Sequence, residues 1–450
     1  MKKYRFVAFL LFGIGGAGFA QTQPTSDPVK ETIKTQLINR VDNGYSAGTT
    51  VAFLDNGQES FFTYGYANTT TKQPITQQSV FEIGSITKTF TCLLLADLVQ
   101  KGKLALNDPV EKYLPNAVKL PSFEGQKITF ADLASHTSGL PRMPDIFAPK
   151  DDSNPYIDYS PKELYAFLNQ LQLKRGTGQY EYSNLAMGLL GHTLALISGK
   201  SYPQLLQDVI CTPLKMSQTN TLNNSPYLTM GHIGTKPVAH WDFDVLAGAG
   251  ALRSNVPDML RYLKAQMGLE ASPLQAAMNL TQQPLHEINN VMKIGLGWHF
   301  LAANNDEIIW HNGGTGGYRT YIGFSKKTNK GIIILTNALQ SPDDLGRYFF
   351  DPSAKITPVK KSITVPASVL QNYVGTYQIA PGAVFEVKLE SGQLFVKLTG
   401  QDFLEVYPES ETKFFYREVE ASISFFKNDQ GQVNKMILYQ NGREIPATRN

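Results

Sequence analysis

Ser85 and Lys88 stand three residues apart at the start of the apolar run Ser-Ile-Thr-Lys-Thr-Phe-Thr-Cys-Leu-Leu-Leu-Ala. On a helix that spacing places both on one face, with Cβ atoms about 5–6 Å apart, so the amine reaches the hydroxyl. A lysine in apolar surroundings gives up its proton readily and can serve as the base that activates a serine. A helix opening at Ser85 also leaves free backbone N–H groups beside the nucleophile. The competing reading is an N-cap serine followed by a solvated lysine. Tyr182 and Asn184 form a second pair, two residues apart and therefore on one side of an extended segment. A tyrosine beside a lysine can shuttle a proton, and an asparagine amide can hold both a substrate carbonyl and the lysine. A third group is His311-Asn312-Gly313-Gly314-Thr315-Gly316-Gly317, which continues the strand-like Ile308-Ile309-Trp310. Small residues there let a ligand lie against the strand edge. The N–H of Gly314, with that of Ser85, would form an oxyanion hole, in which removing one donor costs roughly 2.7–4 kcal/mol of barrier.

Each motif has a decoy. Ser-x-x-Lys recurs at Ser410/Lys413 and Ser424/Lys427, but in strand-like runs, where i and i+3 point to opposite faces. Tyr66/Asn68 falls at a hairpin turn, and His232-Ile233-Gly234 falls in an irregular stretch expected to be loop. Gly44-Tyr45-Ser46-Ala47-Gly48 matches a nucleophile elbow, yet a strand follows it where a helix is needed, so it reads as a loop.

The elements that must position these residues begin with a helix over Val29–Val41 and a hairpin of Thr49–Leu54 and Ser60–Tyr66 around Asp55-Asn56-Gly57. Helices are expected over Ser85–Lys101, Pro161–Leu171, Ser183–Ile197, Tyr202–Ile210 and Pro257–Gln266. Strands return at Glu307–Trp310, Tyr318–Phe324 and Gly331–Thr336. Strands at both ends with helices between them predict one α+β domain whose sheet is completed from distant segments. Residues 351–366 read as a linker. Residues 367–450 hold no His or Cys but 12 Phe or Tyr, in short alternating runs punctuated by Ser391-Gly392, Asp429-Gln430-Gly431 and Asn441-Gly442. They predict a separate all-β module, a small barrel or sandwich.

The 450 residues are 42% hydrophobic and 18% charged, ample for a sizeable core. Two Cys exclude a disulfide-stapled scaffold, and Cys92 and Cys211 are expected as buried thiols. Met1–Ala20 has the order of a secretory signal peptide, which predicts a periplasmic or secreted protein. Without Lys2, Lys3 and Arg5 the 41 basic residues fall to 38, equal to the 38 acidic ones. That balance argues against a nucleic-acid partner. No apolar run beyond the N-terminus is long enough for a membrane span. The seven His show no ligand-type spacing, and serine–lysine chemistry needs neither a metal nor a cofactor.

From about Lys30 to Leu339 the chain resembles the serine β-lactamase and penicillin-binding family, in particular its class C branch. The resemblance rests on Phe81-Glu82-Ile83-Gly84-Ser85-Ile86-Thr87-Lys88, on Gly102-Lys103-Leu104 with Asn107-Asp108-Pro109-Val110, and on Leu133-Ala134-Ser135-His136-Thr137-Ser138-Gly139-Leu140-Pro141. Tyr182-Ser183-Asn184 and His311-Asn312-Gly313 fill the remaining motif positions. It implies a three-layer α+β fold, a mostly antiparallel sheet flanked by helices with an inserted helical region. It also implies acyl-enzyme chemistry, with Ser85 as nucleophile, Lys88 and Tyr182 sharing acid–base work, Asn184 orienting the amide, and His311, Asn312 and Gly314 lining the opposite wall. His136 is then structural.

The third motif departs from the lactamases, which carry Lys-Thr-Gly. Lysine is a permanent cation for a substrate carboxylate, whereas histidine is largely neutral near pH 7. Met143 also falls near where lactamases place a glutamine. The implied substrates are β-lactams or D-Ala-type peptidoglycan peptides. The alternatives are a carboxylesterase of short acyl esters and a non-catalytic penicillin- or peptidoglycan-binding protein. The β module would cover the cleft, hold a partner or bind cell wall.

Overall fold

The computed structural model describes residues 27–303, 306–417 and 419–450, so the expected signal segment Met1–Ala20 lies outside the described residues. Helix α1, Pro28–Asp42, opens where the Asp27 carboxylate accepts the N–H of Val29 at 3.0 Å, with proline at a position that has no donor to lose. Strands β1, Gly48–Asp55, and β2, Gln58–Asn68, pair around Asn56 and Gly57, both at positive φ. After β3, Gln73–Pro74, the chain leaves the sheet for the helical region. It returns as β4 His286–Asn289, β5 Met292–Ile294, β6 His299–Ala303, β7 Asp306–Gly314, β8 Arg319–Ser325 and β9 Lys330–Thr336. The nine strands run β3-β2-β1-β9-β8-β7-β6-β5-β4, antiparallel throughout. The N-terminal hairpin thus closes on the last strand, with Thr49 opposite Thr336.

Both faces of the sheet are covered. Ala52, Leu54, Ile309, Ile322, Phe324, Ile333 and Leu335 pack on the helical region. Val51, Phe53, Ile308, Trp310, Tyr321, Ile332 and Ile334 pack on the other side with α1 and a C-terminal helix, Asp343–Phe350. Full burial of such side chains is worth roughly 1.5–3 kcal/mol each, so the double coverage fixes the register of β7–β9. The result is the three-layer α+β arrangement.

In the helical region α2 spans Thr87–Gln100, α3 Pro161–Gln170, α4 Asn184–Ser198 and α5 Val256–Met267. Polar caps start three of them: Ser160 with Glu163 as a capping box, Ser183 accepting from Ala186 N at 2.9 Å, and Asn255 accepting from Asp258 N at 3.0 Å. The segment expected as one helix from Tyr202 instead loosens after Leu206 into a π turn, Gln207–Cys211. His232 also departs from expectation: Gly231–Ile233 pairs with Lys236–Val238 as a short hairpin. Cys92 and Cys211 are separate buried thiols.

Residues 351–366 contain no helix or strand, and the C-terminal module is a closed eight-stranded barrel, Gly375–Ala380 through Arg443–Arg449. Ser391-Gly392 and Asn441-Gly442 turn its hairpins, all four residues at positive φ. Its interior is filled by side chains, among them Tyr373, Tyr377, Phe414 and Phe425. The barrel docks on the α+β domain through Phe415, stacked on Tyr45 at 6.3 Å, and through Arg417, whose guanidinium carbon lies 5.6 Å from the Tyr45 ring centre.

Candidate active site

Gly84–Ile86 forms a single 3-10 turn and α2 begins at Thr87, two residues after the expected helix start at Ser85, so Ser85 stands in the turn. Gly84 explains the shift. Its φ is +52°, and a Cβ there would sit 2.6 Å from the backbone nitrogen of Gly314. Gly313 is under the same constraint, because a Cβ on it would meet the carbonyl oxygen of Ile83 at 1.9 Å. Two glycines therefore let the nucleophile turn and the end of β7 touch backbone to backbone. That contact brings the N–H of Ser85 and the exposed residue Gly314 into one neighbourhood, as two oxyanion donors require.

Lys88 is fully buried, with Nζ 2.9 Å from Ser85 Oγ and 2.6 Å from the carbonyl oxygen of Ala249. Burial first, and then the charge of Arg142, push its pKa well below the ordinary lysine value. No carboxylate acts on it among the described residues, so the neutral amine is the favoured form. A neutral amine has two N–H donors and one lone pair. With one N–H on Ala249, the lone pair is free to take the Ser85 proton. Ala249 itself is held by hydroxyls of α2: Thr91 Oγ1 donates to Gly248 O at 2.8 Å, and Thr87 Oγ1 accepts from Leu252 N at 3.1 Å. Close packing of Gly191 on Gly248 lets this segment approach α4.

Tyr182 lies beside both groups. Its ring centre is 4.9 Å from Lys88 Nζ, and its phenol hydrogen-bonds to Ser85. Burial raises its pKa, so it remains a phenol at neutral pH. His136 holds it in place: the ring stands 4.4 Å from the Tyr182 ring, and Nδ1 accepts the N–H of Ser183 at 3.1 Å. His136 adopts φ +59° to do so, a conformation uncommon outside glycine, and it is fully buried. It is a positioning residue, as expected from the sequence.

The other expected residues fall into three groups. Asn184 is half-buried at the first position of α4, its N–H on Arg142 O at 3.0 Å. His311 faces the cleft side of β7, fully buried and 5.2 Å from the His299 ring. Its Nδ1 lies 2.5 Å from Asn312 O, an acceptor only, so the proton is on Nδ1. Burial holds its pKa well below the usual histidine range, and burial takes His299 down to about 4. Asn312 is a correction. Strand alternation turns its side chain to the opposite face, where Nδ2 donates to Asp343 Oδ2 at 2.6 Å, so the amide does not line the cleft.

The decoys lie elsewhere. Ser46 Oγ donates to Gly48 O, Asn68 Oδ1 accepts from Thr70 N, and Ser410 Oγ accepts from Lys413 N. Ser424 and Lys427 sit on a barrel strand. Sequence reasoning missed Ala249, whose only signal is the small-residue run Ala247-Gly248-Ala249-Gly250. It also missed Arg142 and His299. Among the described residues no cluster of His, Cys, Asp and Glu could hold a metal.

A protein-family model described as Beta-lactamase matches residues 35–351, and a domain of unknown function, DUF3471, matches residues 359–449. A beta-lactamase of Escherichia coli (strain K12) is 30% identical over 369 residues, covering 73% of this chain and 93% of the relative. The D-alanyl-D-alanine-carboxypeptidase/endopeptidase AmpH of the same organism is 29% identical over 357 residues, covering 74% and 91%. The octameric penicillin-binding protein homologue from Pyrococcus abyssi has a similar structure, with a TM-score of 0.64 at 23% identity over 93% of this chain and 100% of that one.

Gly84→Ala tests the backbone contact. The added Cβ displaces Gly314 N, and acylation of Ser85 is expected to slow at least ~100-fold, the scale of one lost oxyanion donor. Stopped-flow acylation rates, with circular dichroism to verify the fold, measure this.

Proposed function

The chain belongs to the beta-lactamase family, and on that premise we propose that it is an exported serine hydrolase acting through a Ser85 acyl-enzyme on β-lactams or D-Ala-type peptides. The observation that carries the reading is the buried, carboxylate-free Lys88 amine 2.9 Å from Ser85 Oγ. Lys88 Nζ takes the Ser85 proton as Oγ bonds to the substrate carbonyl carbon. The N–H groups of Ser85 and Gly314 receive the oxyanion. As the C–N bond breaks, the proton passes from Lys88 through the Tyr182 hydroxyl to the leaving nitrogen. Water then attacks the ester, its proton returns along the same path, and Ser85 is restored.

The relatives' names support the substrate class: one is a beta-lactamase, another a D-alanyl-D-alanine carboxypeptidase. The signal-type order of Met1–Ala20 supports export. We infer that the barrel, which packs on the catalytic unit at Tyr45, holds a partner such as cell wall or covers the cleft. A second reading, a carboxylesterase of short acyl esters, is favoured by His311, which is buried and uncharged where a lactamase has a lysine.

Incubation with a fluorescent penicillin is expected to leave one adduct on Ser85 by mass spectrometry, absent in Ser85→Ala; an unmodified wild-type chain would sink the proposal. Because the active form of Lys88 is neutral and its pKa is lowered, kcat/KM should fall as pH drops through that lowered value. No rise should occur near the free-lysine pKa. His311 is already neutral, so His311→Gln should keep the same acid limb. A limb that vanishes in that variant would reassign the base.

A further inference from the structure

The site described so far has a base and an oxyanion pocket, but β7 itself carries no lysine or arginine. His311 is uncharged and enclosed. Arg319, next to Gly314 across the β7–β8 pair, has its Nη1 already engaged with the carbonyl oxygens of Thr315 and Tyr318, both at 2.7 Å. Lys88 is the base. Arg142 differs from all three. Its side chain is exposed, and among the described residues its guanidinium takes part in no ion pair and no side-chain hydrogen bond.

The backbone of Arg142 is nonetheless firmly rooted. Its carbonyl accepts the N–H groups of Asn184 at 3.0 Å and Leu185 at 3.2 Å, and the neighbouring Pro141 carbonyl accepts the Ser183 hydroxyl at 2.7 Å. The loop is thereby tied to the first turn of α4. Its guanidinium carbon lies 5.1 Å from the Tyr182 ring centre, and Lys88 Nζ lies 4.9 Å from the same centre. Its exposure and its position over the Tyr182 ring place it at the mouth of the cleft.

We propose that Arg142 reads a carboxylate on the leaving group of the substrate and takes over the role that a lysine on β7 plays in the lactamases. The assignment to the leaving-group side rests on the reading of Ser85 as an acyl-enzyme nucleophile with Tyr182 as proton donor. Arg142 lies over the ring of Tyr182, the proton donor in that reading, which puts its guanidinium on the side of the cleft from which the leaving group departs. A free guanidinium offers five N–H donors in a fork that matches a carboxylate. This makes the preferred substrate a peptide, or a strained amide, whose departing half carries a free carboxylate.

The test uses a matched pair of thioesters: benzoylglycyl thioglycolate, whose thiol half bears a carboxylate, and its methyl ester. Water cleaves each to benzoylglycine and a free thiol, which is followed with a thiol reagent. Wild type, Arg142→Gln and Arg142→Lys are compared by the ratio of kcat/KM for the acid to that for the ester. Any change in Lys88 basicity affects both substrates and cancels in the ratio. The ratio should fall about 10- to 100-fold in Arg142→Gln, chiefly through KM, the range of a charge-assisted hydrogen bond. Arg142→Lys should recover part of it. Wild-type turnover with an unchanged ratio in Arg142→Gln overturns the assignment of Arg142 alone. Wild-type protein that cleaves neither thioester overturns the acyl-enzyme reading and this inference with it.

Discussion

An ammonium ion without a counter-charge is costly in a dry interior, and the catalytic unit is built around an amine in that position. Lys88 lies on a helix that is buried from Thr87 through Asp97, and no carboxylate reaches its Nζ among the described residues. The charged form is therefore disfavoured, and what surrounds Nζ suits a neutral amine: one backbone carbonyl, one hydroxyl and an aromatic ring. The histidines nearby, His136, His299 and His311, are themselves held neutral by burial, so they add no charge that would compete with the base. The lowered pKa that makes Lys88 a base is the consequence of where α2 is packed.

That packing depends on residues far apart in the chain. The Ala249 carbonyl is brought to Nζ from 161 residues downstream, and hydroxyls of Thr87 and Thr91 anchor the segments on either side of it. The sheet supplies the other half. Hydrophobic burial on both faces fixes β7 in register, and glycine at positions 84 and 313 lets its end press on the nucleophile turn. The oxyanion geometry follows from a backbone contact that any side chain would break.

Much of this was readable before the fold was known, because helix and strand periods separate real motifs from decoys. Ser85/Lys88 opens an apolar helical run, whereas Ser424/Lys427 lies on a strand, and only the first spacing brings the pair together. The hairpin turns of the barrel were equally plain, because Ser-Gly and Asn-Gly accept positive φ. Period two also argues against Asn312, one residue out of phase with His311, and its amide accordingly meets Asp343 on the far face of β7. Strands β4 and β5 had no clear pattern because they lie at a half-exposed sheet edge. Ala249 was out of reach of any motif, because the group that matters is a backbone carbonyl. The Gly-x-Ser-x-Gly sequence at 44–48 belongs to the docking surface of the barrel: Gly44 leaves room for Arg417, and Tyr45 stacks on Phe415.

The central claim is that burial keeps Lys88 uncharged at neutral pH. Selective 15N labelling of lysine, with the Nζ signal of Lys88 assigned by its loss in Lys88→Met, reads the charge state directly across a pH titration. The account predicts a neutral-amine signal at pH 8, with protonation appearing only as the pH is lowered well beyond the ordinary lysine range. An Nζ signal that stays in the ammonium form up to pH 10 would contradict it.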